Sequence, residues 1–242
     1  MERKVSCQAN LVNESWYAAP PLAVQLLIAG GWVGGIFLFA ELLNRYTHTP
    51  SEIVRKVVHI GVGNVILLAW WFHMPAWVGI SASILFGVVT LLSYRYPILP
   101  SVSGVGRKSW GTFFYAVSIG LLIALFWLPG LPQYAALGVL VMTWGDGLAA
   151  LIGQRFGKHP YLAWGILKSW EGSLAMAIVS YGVSSLILLI AQGSSWQTWT
   201  ISLVVAAVAT GLEAFSRYGI DNLSVPLGSA IAAFALSQLW GV

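Results

Sequence analysis

Eight stretches, each approaching the roughly 20 apolar residues that a helix needs to cross a hydrocarbon core, occupy most of this chain. They run over about 22–43, 57–73, 75–94, 110–129, 132–153, 173–192, 198–216 and 224–240. Such runs fix the fold class before any other feature is weighed: all-α, a polytopic membrane bundle of about eight transmembrane helices. Composition agrees. Only 8% of the residues are charged, against about 25% in a soluble domain, so lipid must cover most of the exterior. The 13 Trp and 9 Tyr suit a protein with two membrane–water interfaces. Residues 1–21 read as a polar tail, and 22–242 as one transmembrane domain with no repeat or soluble insert. The first apolar run is of full spanning length, so it reads as a retained helix and not a cleaved signal peptide. The single cysteine, Cys7, excludes an intrachain disulfide and a cysteine metal site.

Charge is distributed unequally between the two ends of these helices. The links around His73–Pro75, Leu128–Gln133 and Gln192–Gln197 carry no Lys or Arg. The others hold Arg45, Arg55, Lys56, Arg95, Arg107, Lys108, Arg155, Lys158, Lys168 and Arg217. The positive-inside bias makes that face cytoplasmic, although Arg3 and Lys4 run against it. The net charge of +4 is therefore a topology signal, and no nucleic-acid partner is expected. Six of the eight acidic residues, Glu41, Glu52, Asp146, Glu171, Glu213 and Asp221, map to the same loops or the adjoining helix ends. Ionisable groups in or near a membrane are costly and are functional candidates by default. Acids and bases sharing one face suit a site for a metal and a phosphate.

The densest stretch is WGDGLAALIGQRFGKHPYLAWGILKSWEGSLA, from Trp144 to Ala175. Asp146 lies in an otherwise apolar helix and reads as a ligand for Mg²⁺, which prefers one or two carboxylates completed by phosphate and water. Ala150, Gly153 and Gly157 follow as a small-residue stripe. It serves either close helix packing or close approach of a nucleotide phosphate to Gly153 and Gly157. Lys168 and Glu171 are expected on one face at the start of the next helix, which Ser169 would help cap. Lys168 then serves a phosphate, and Glu171 the metal or its positioning, against the plainer reading of a surface ion pair. Arg55, Lys56 and His59 enter the second helix as candidate phosphate ligands. As topology signals they would need no further role, with Glu52 pairing to Lys56. Glu213, Asp221 and Asn222 close the set, with a salt-bridge ladder through Arg217 as the structural alternative. P-loop, HExxH, GxSxG and protein-kinase signatures are absent from the sequence.

The string GDGLAALIGQRFGKH…KSWEGSLA resembles the core motif of the polyprenol kinase family, which includes dolichol and phytol kinases. RKVVHIGVG (Arg55–Gly63), RKSWGTFFY (Arg107–Tyr115) and EAFSRYGIDNLSVPLGSA (Glu213–Ala230) extend the likeness in order along most of the chain after residue 50. The small size and the DNLSVPL ending are most similar to phytol kinases of bacterial, cyanobacterial type. The resemblance implies a kinase that phosphorylates a membrane isoprenoid alcohol, phytol foremost, giving phytyl phosphate for tocopherol synthesis or chlorophyll phytol salvage. It implies CTP or UTP as donor and Mg²⁺ as cofactor. It also implies an active face on the cytoplasmic side of a bacterial or cyanobacterial membrane. By the same resemblance Asp146, Lys168 and Glu171 form the catalytic set. Arg55, Lys56, His59, Gly153 and Gly157 join Lys168 around the nucleotide, Asp146, Glu171 and Asp221 hold the metal, and Glu213 and Asn222 support the site. Two alternatives remain beside it. One is CMP transfer to a lipid phosphate, as in phosphatidate cytidylyltransferases, which share a similar GD…K-S/T-x-E-G string. The other is a small-solute transporter, which would favour mid-membrane polar groups and inverted repeats.

Overall fold

The computed structural model describes residues 19–47, 49–94, 96 and 110–242. Most of the expected N-terminal tail, together with Arg95, Arg107 and Lys108, lies outside the described residues. Among the described residues eight helices follow one another: α1 (Leu22–Tyr46), α2 (Ser51–Trp71), α3 (Ala76–Ser93), α4 (Gly111–Trp127), α5 (Pro132–Phe156), α6 (Trp170–Gln192), α7 (Trp196–Ala214) and α8 (Asp221–Trp240). Among the described residues, six are long and apolar enough to cross a membrane; α4 is apolar but shorter, and α7 is more polar. The expected helix bundle is present, with every helix close to its expected place.

The boundaries differ from the apolar runs in an informative way. α2 begins at Ser51 and α6 at Trp170, while α5 continues to Phe156. Each extension is toward the charged end. A hydropathy run stops at the first charge, but the helix continues past it. Arg55 and Lys56 therefore sit within α2 beside His59 rather than ahead of it.

α5 is the axis of the bundle. Leu137, Val139, Val141 and Met142 are all but sealed from solvent, packed among Leu122 of α4, Met176 and Leu188 of α6, Ile201 and Val205 of α7 and Val225 of α8. The outer helices instead turn Leu27, Leu38, Leu85, Ile178 and Leu203 outward, as a lipid-facing surface requires. Two features depart from a plain α-helical bundle. First, α4 and α5 carry π-helical stretches, over Ile123–Trp127 and Val141–Asp146 respectively. Such wide turns are rare and frequent at functional sites. Second, an antiparallel hairpin, β1 (Pro160–Ala163) and β2 (Ile166–Ser169), fills the link between α5 and α6, with Tyr161 opposite Lys168. Its two-residue turn, Trp164–Gly165, has positive φ at both positions, as a tight hairpin with right-twisted strands demands.

Candidate active site

The site grows from three choices of local structure. The π-helical turn ends on Asp146 and directs this carboxylate inward, where it is 6% exposed. Asp146 lies ten residues short of the end of α5, hence about 15 Å along the helix from that end. That depth corrects the expectation that all the acidic groups sit at helix ends. Across from it, Lys56 projects from α2 and is 3% exposed. Its Nζ donates to Asp146 Oδ2 at 2.6 Å and approaches the Asp146 carbonyl at 3.4 Å. α2 comes this close partly because Gly63 has no side chain: a Cβ there would collide with Thr143 and the Tyr115 hydroxyl. Glu52 therefore does not pair with Lys56, as the helical spacing suggested; it holds the Arg55 guanidinium through two hydrogen bonds. Lys56 is left for the more demanding partner in the interior.

Lys168 arrives from the hairpin, not from a helix. Its ammonium bonds the carboxylate and the carbonyl of Glu213, in the last turn of α7. α7 ends at Ala214, so the proposed ladder from Glu213 through Arg217 has no helix to run along. Asp221 opens α8, and its Oδ1 accepts from the backbone N–H and the side-chain amide of Asn222. Ser169 caps α6 as expected, its hydroxyl accepting from the Gly172 N–H.

These elements enclose a cavity of about 360 Å³ at the charged end of the bundle. Arg55, Lys56, Asp146, Gly153, Gly157, Lys168, Glu213 and Asp221 all line it, as do Arg217 and Tyr218. Asp146 and Asp221 feel each other's charge across this space, and Lys56 and Lys168 partly offset it. Gly153 and Gly157 have a second reason to be small. Side chains there would strike Ser169 or the Gly153 carbonyl, so close packing of α5 on the start of α6 accounts for them even without a ligand.

Three residues expected at the site, Glu171 for the metal, His59 for the nucleotide and Asn222 in support, stand elsewhere. Glu171 does not line the cavity; it faces outward and bonds His159, its Oε1 2.7 Å from Nδ1. Lys168 and Glu171 share no helical face, because the hairpin ends between them and α6 begins at Trp170. His59 and Asn222 line a small separate slot behind Arg55. The expected metal set of Asp146, Glu171 and Asp221 is thus not assembled. Among the described residues no three His, Cys, Asp or Glu side chains gather to hold an ion by themselves. Arg217 and Tyr218 are the converse case: they line the cavity, yet within EAFSRYGIDNLSVPLGSA the sequence offers Arg217 only as a rung of a salt-bridge ladder and gives Tyr218 no role.

No family model matches the chain, and no solved structure matches it. Full-length relatives do. It is 51% identical over 222 residues to a phytol kinase of Synechocystis, covering 92% of this chain and 95% of the relative. The chain belongs to the phytol kinase family. A chloroplastic phytol kinase of Arabidopsis thaliana is 28% identical across 86% of this chain and 73% of its own. A farnesol kinase of the same plant is 26% identical, covering 77% of this chain and 66% of its own. This member of the phytol kinase family is accordingly a membrane-embedded kinase with an alcohol acceptor. Its charged cavity, with cations and carboxylates drawn from α2, α5, the hairpin, α7 and α8, has the chemistry such a transfer needs.

Proposed function

We propose that this chain phosphorylates phytol to phytyl phosphate at the cytoplasmic face of its membrane, with CTP or UTP as donor. The observation that carries this reading is the cavity of about 360 Å³, where Arg55, Lys168 and Arg217 surround Asp146 and Asp221 beside an apolar bundle. Its volume lies in the range of roughly 300–1,000 Å³ usual for small-molecule sites. The positive face expected to be cytoplasmic is the one that contains it.

The two aspartates suit a divalent cation. They repel each other across a shared space, and each engages one carboxylate oxygen in hydrogen bonds, Oδ2 of Asp146 and Oδ1 of Asp221. Asp146 and Asp221 would therefore hold Mg²⁺, with nucleotide oxygens and water completing its shell. Bound there, the ion would neutralise charge on the β- and γ-phosphates. Lys168, Arg55 and Arg217 offset the remaining charge, and Lys56 fixes the orientation of Asp146. The alcohol oxygen forms a bond to the γ-phosphorus as the bond to the bridging oxygen breaks. A nucleoside diphosphate leaves, and the hydroxyl proton is released. Positioning and electrostatics dominate such transfers, so a strong base is not required. The product would then serve tocopherol synthesis or chlorophyll phytol salvage.

Incubation of the full chain in bilayer nanodiscs with each γ-labelled nucleotide and a panel of isoprenoid alcohols tests this. Label in a prenyl monophosphate, with release of the diphosphate, is the expected result. Pyrophosphate release with formation of a CDP-lipid would replace the reading with CMP transfer. Flux of a solute into liposomes without nucleotide would replace it with transport.

A further inference from the structure

Behind Arg55 lies a second, much smaller space of about 40 Å³. Phe37 of α1, Val58 and Val62 of α2, Phe86 of α3 and Tyr115 of α4 form most of its wall. Arg55, His59, Thr112 and Asn222 supply its polar lining. We propose that this slot receives the head end of the acceptor, an acyclic prenyl alcohol. Its hydroxyl lies against His59 and Asn222, and its chain leaves between α1 and α3. The assignment rests on the kinase reading above and gives the acceptor an entrance distinct from that of the nucleotide.

Four observations converge on it. The large cavity is walled by charges of both signs, a poor surface for a hydrocarbon that gains about 25 cal/mol for each Å² taken out of water. The lining of the slot is mainly apolar. Arg55 is common to both walls, and the consecutive residues Asp221 and Asn222 divide between them, Asp221 on the cavity and Asn222 on the slot. A hydroxyl at the end of the slot is thereby separated from the phosphate site by one side chain.

The third observation is an unsatisfied group. The His59 side chain is 8% exposed, and its Nε2 is buried with no hydrogen-bond partner among the described residues. The nearest carboxylate oxygen, Asp146 Oδ2, is 3.6 Å away, beyond good hydrogen-bond reach. The ring is held in place by packing on Tyr115, whose hydroxyl donates to the His59 carbonyl at 3.1 Å. Buried polar atoms are normally paired, so an orphan on a residue that lines the slot calls for a polar visitor. Fourth, α1 packs chiefly on α2, and α3 chiefly on α4. The slot lies on the seam between these pairs, where a lipid-soluble molecule could enter sideways. Its volume holds a hydroxyl and the first carbons, leaving the rest of the chain in lipid. The slot would therefore read the head of the alcohol rather than its length.

The test uses the full chain in nanodiscs, with a prenyl alcohol carrying a diazirine near the hydroxyl. Light should attach it to peptides containing Val58–Val62 or Thr112–Tyr115, and excess phytol should suppress that labelling. Val62→Phe, which fills the slot, should raise KM for phytol about tenfold or more, with KM for the nucleotide changed less than about twofold. Labelling confined to α6 and α7, or an unchanged phytol KM in a folded Val62→Phe protein, overturns the slot while leaving kinase activity untouched. If Val62→Phe fails to fold, the labelling pattern of the unmodified protein decides. Slot labelling by a protein that transfers phosphate to none of the alcohols would sink the kinase reading and keep the slot.

Discussion

Two acid–base pairs stand near the same end of the bundle and live in different worlds. Lys56 and Asp146 join α2 to α5 across 90 residues of sequence, and both are nearly sealed from solvent. His159 and Glu171 are 12 residues apart, and the histidine side chain is 77% exposed. The first pair has lost its hydration and regains it only through mutual contact. Replacing such a pair by apolar residues is often neutral or stabilising, so its presence is poorly explained by stability and better by use. The second pair keeps its water. It ties the segment before the hairpin to the first turn of α6 and asks little of either partner.

The widest separation should come from breaking the buried pair on one side. Lys56→Met leaves Asp146 charged and alone, at a cost of about 3–5 kcal/mol, read as a fall in thermal midpoint in detergent. The double variant Lys56→Met/Asp146→Leu should recover most of that midpoint and no activity. A double variant as unstable as the single one would show that the pair is structural. Next, Asp146→Asn should lower turnover about 10²–10³-fold in a protein that still inserts and folds. Retention of more than about a tenth of normal turnover would remove Asp146 from the reacting centre. Lys168→Ala should follow, raising nucleotide KM about tenfold to a hundredfold, because it removes a phosphate ligand and unpairs Glu213. Smallest of all, Glu171→Gln should leave turnover within about twofold and Mg²⁺ dependence unaltered, as an exposed pair predicts. A large loss there would show that Glu171 turns inward when substrates bind, and would erase the contrast between the two pairs.

The contrast also explains what could be read from the sequence. The eight rods and their charged end were legible because lipid imposes a simple rule on composition, and the rule holds from Leu22 to Trp240. Asp146, Lys168 and Asp221 were legible as rare charges beside apolar runs. The pairing was not. Helical spacing assigned Glu52 to Lys56, yet Lys56 is claimed by a residue 90 positions away, which no local pattern can announce. Glu171 was promoted for its scarcity and its neighbour Lys168; the hairpin that separates them was overlooked. Its signal is Trp164–Gly165 flanked by apolar residues, a weaker mark than the helical spacing that set Lys168 and Glu171 on one face. Gly153 and Gly157 admit packing and binding alike, and the sequence alone has no means to choose between them.

The widened turn at Val141–Asp146 has a consequence for how this protein can change over generations. It acts as a phase shifter. Residues on either side of it keep facing the core only because the helix takes up a little extra chain there. An α-turn in its place would hold one residue fewer, so loss of a single residue from the stretch lets it relax to α-helix while the far half of α5 keeps its facing. Gain of a further residue has no such outlet and would rotate everything beyond it by about 100° about the axis. That would swing Asp146 away from Lys56, so the stretch can shorten by one residue more easily than it can lengthen.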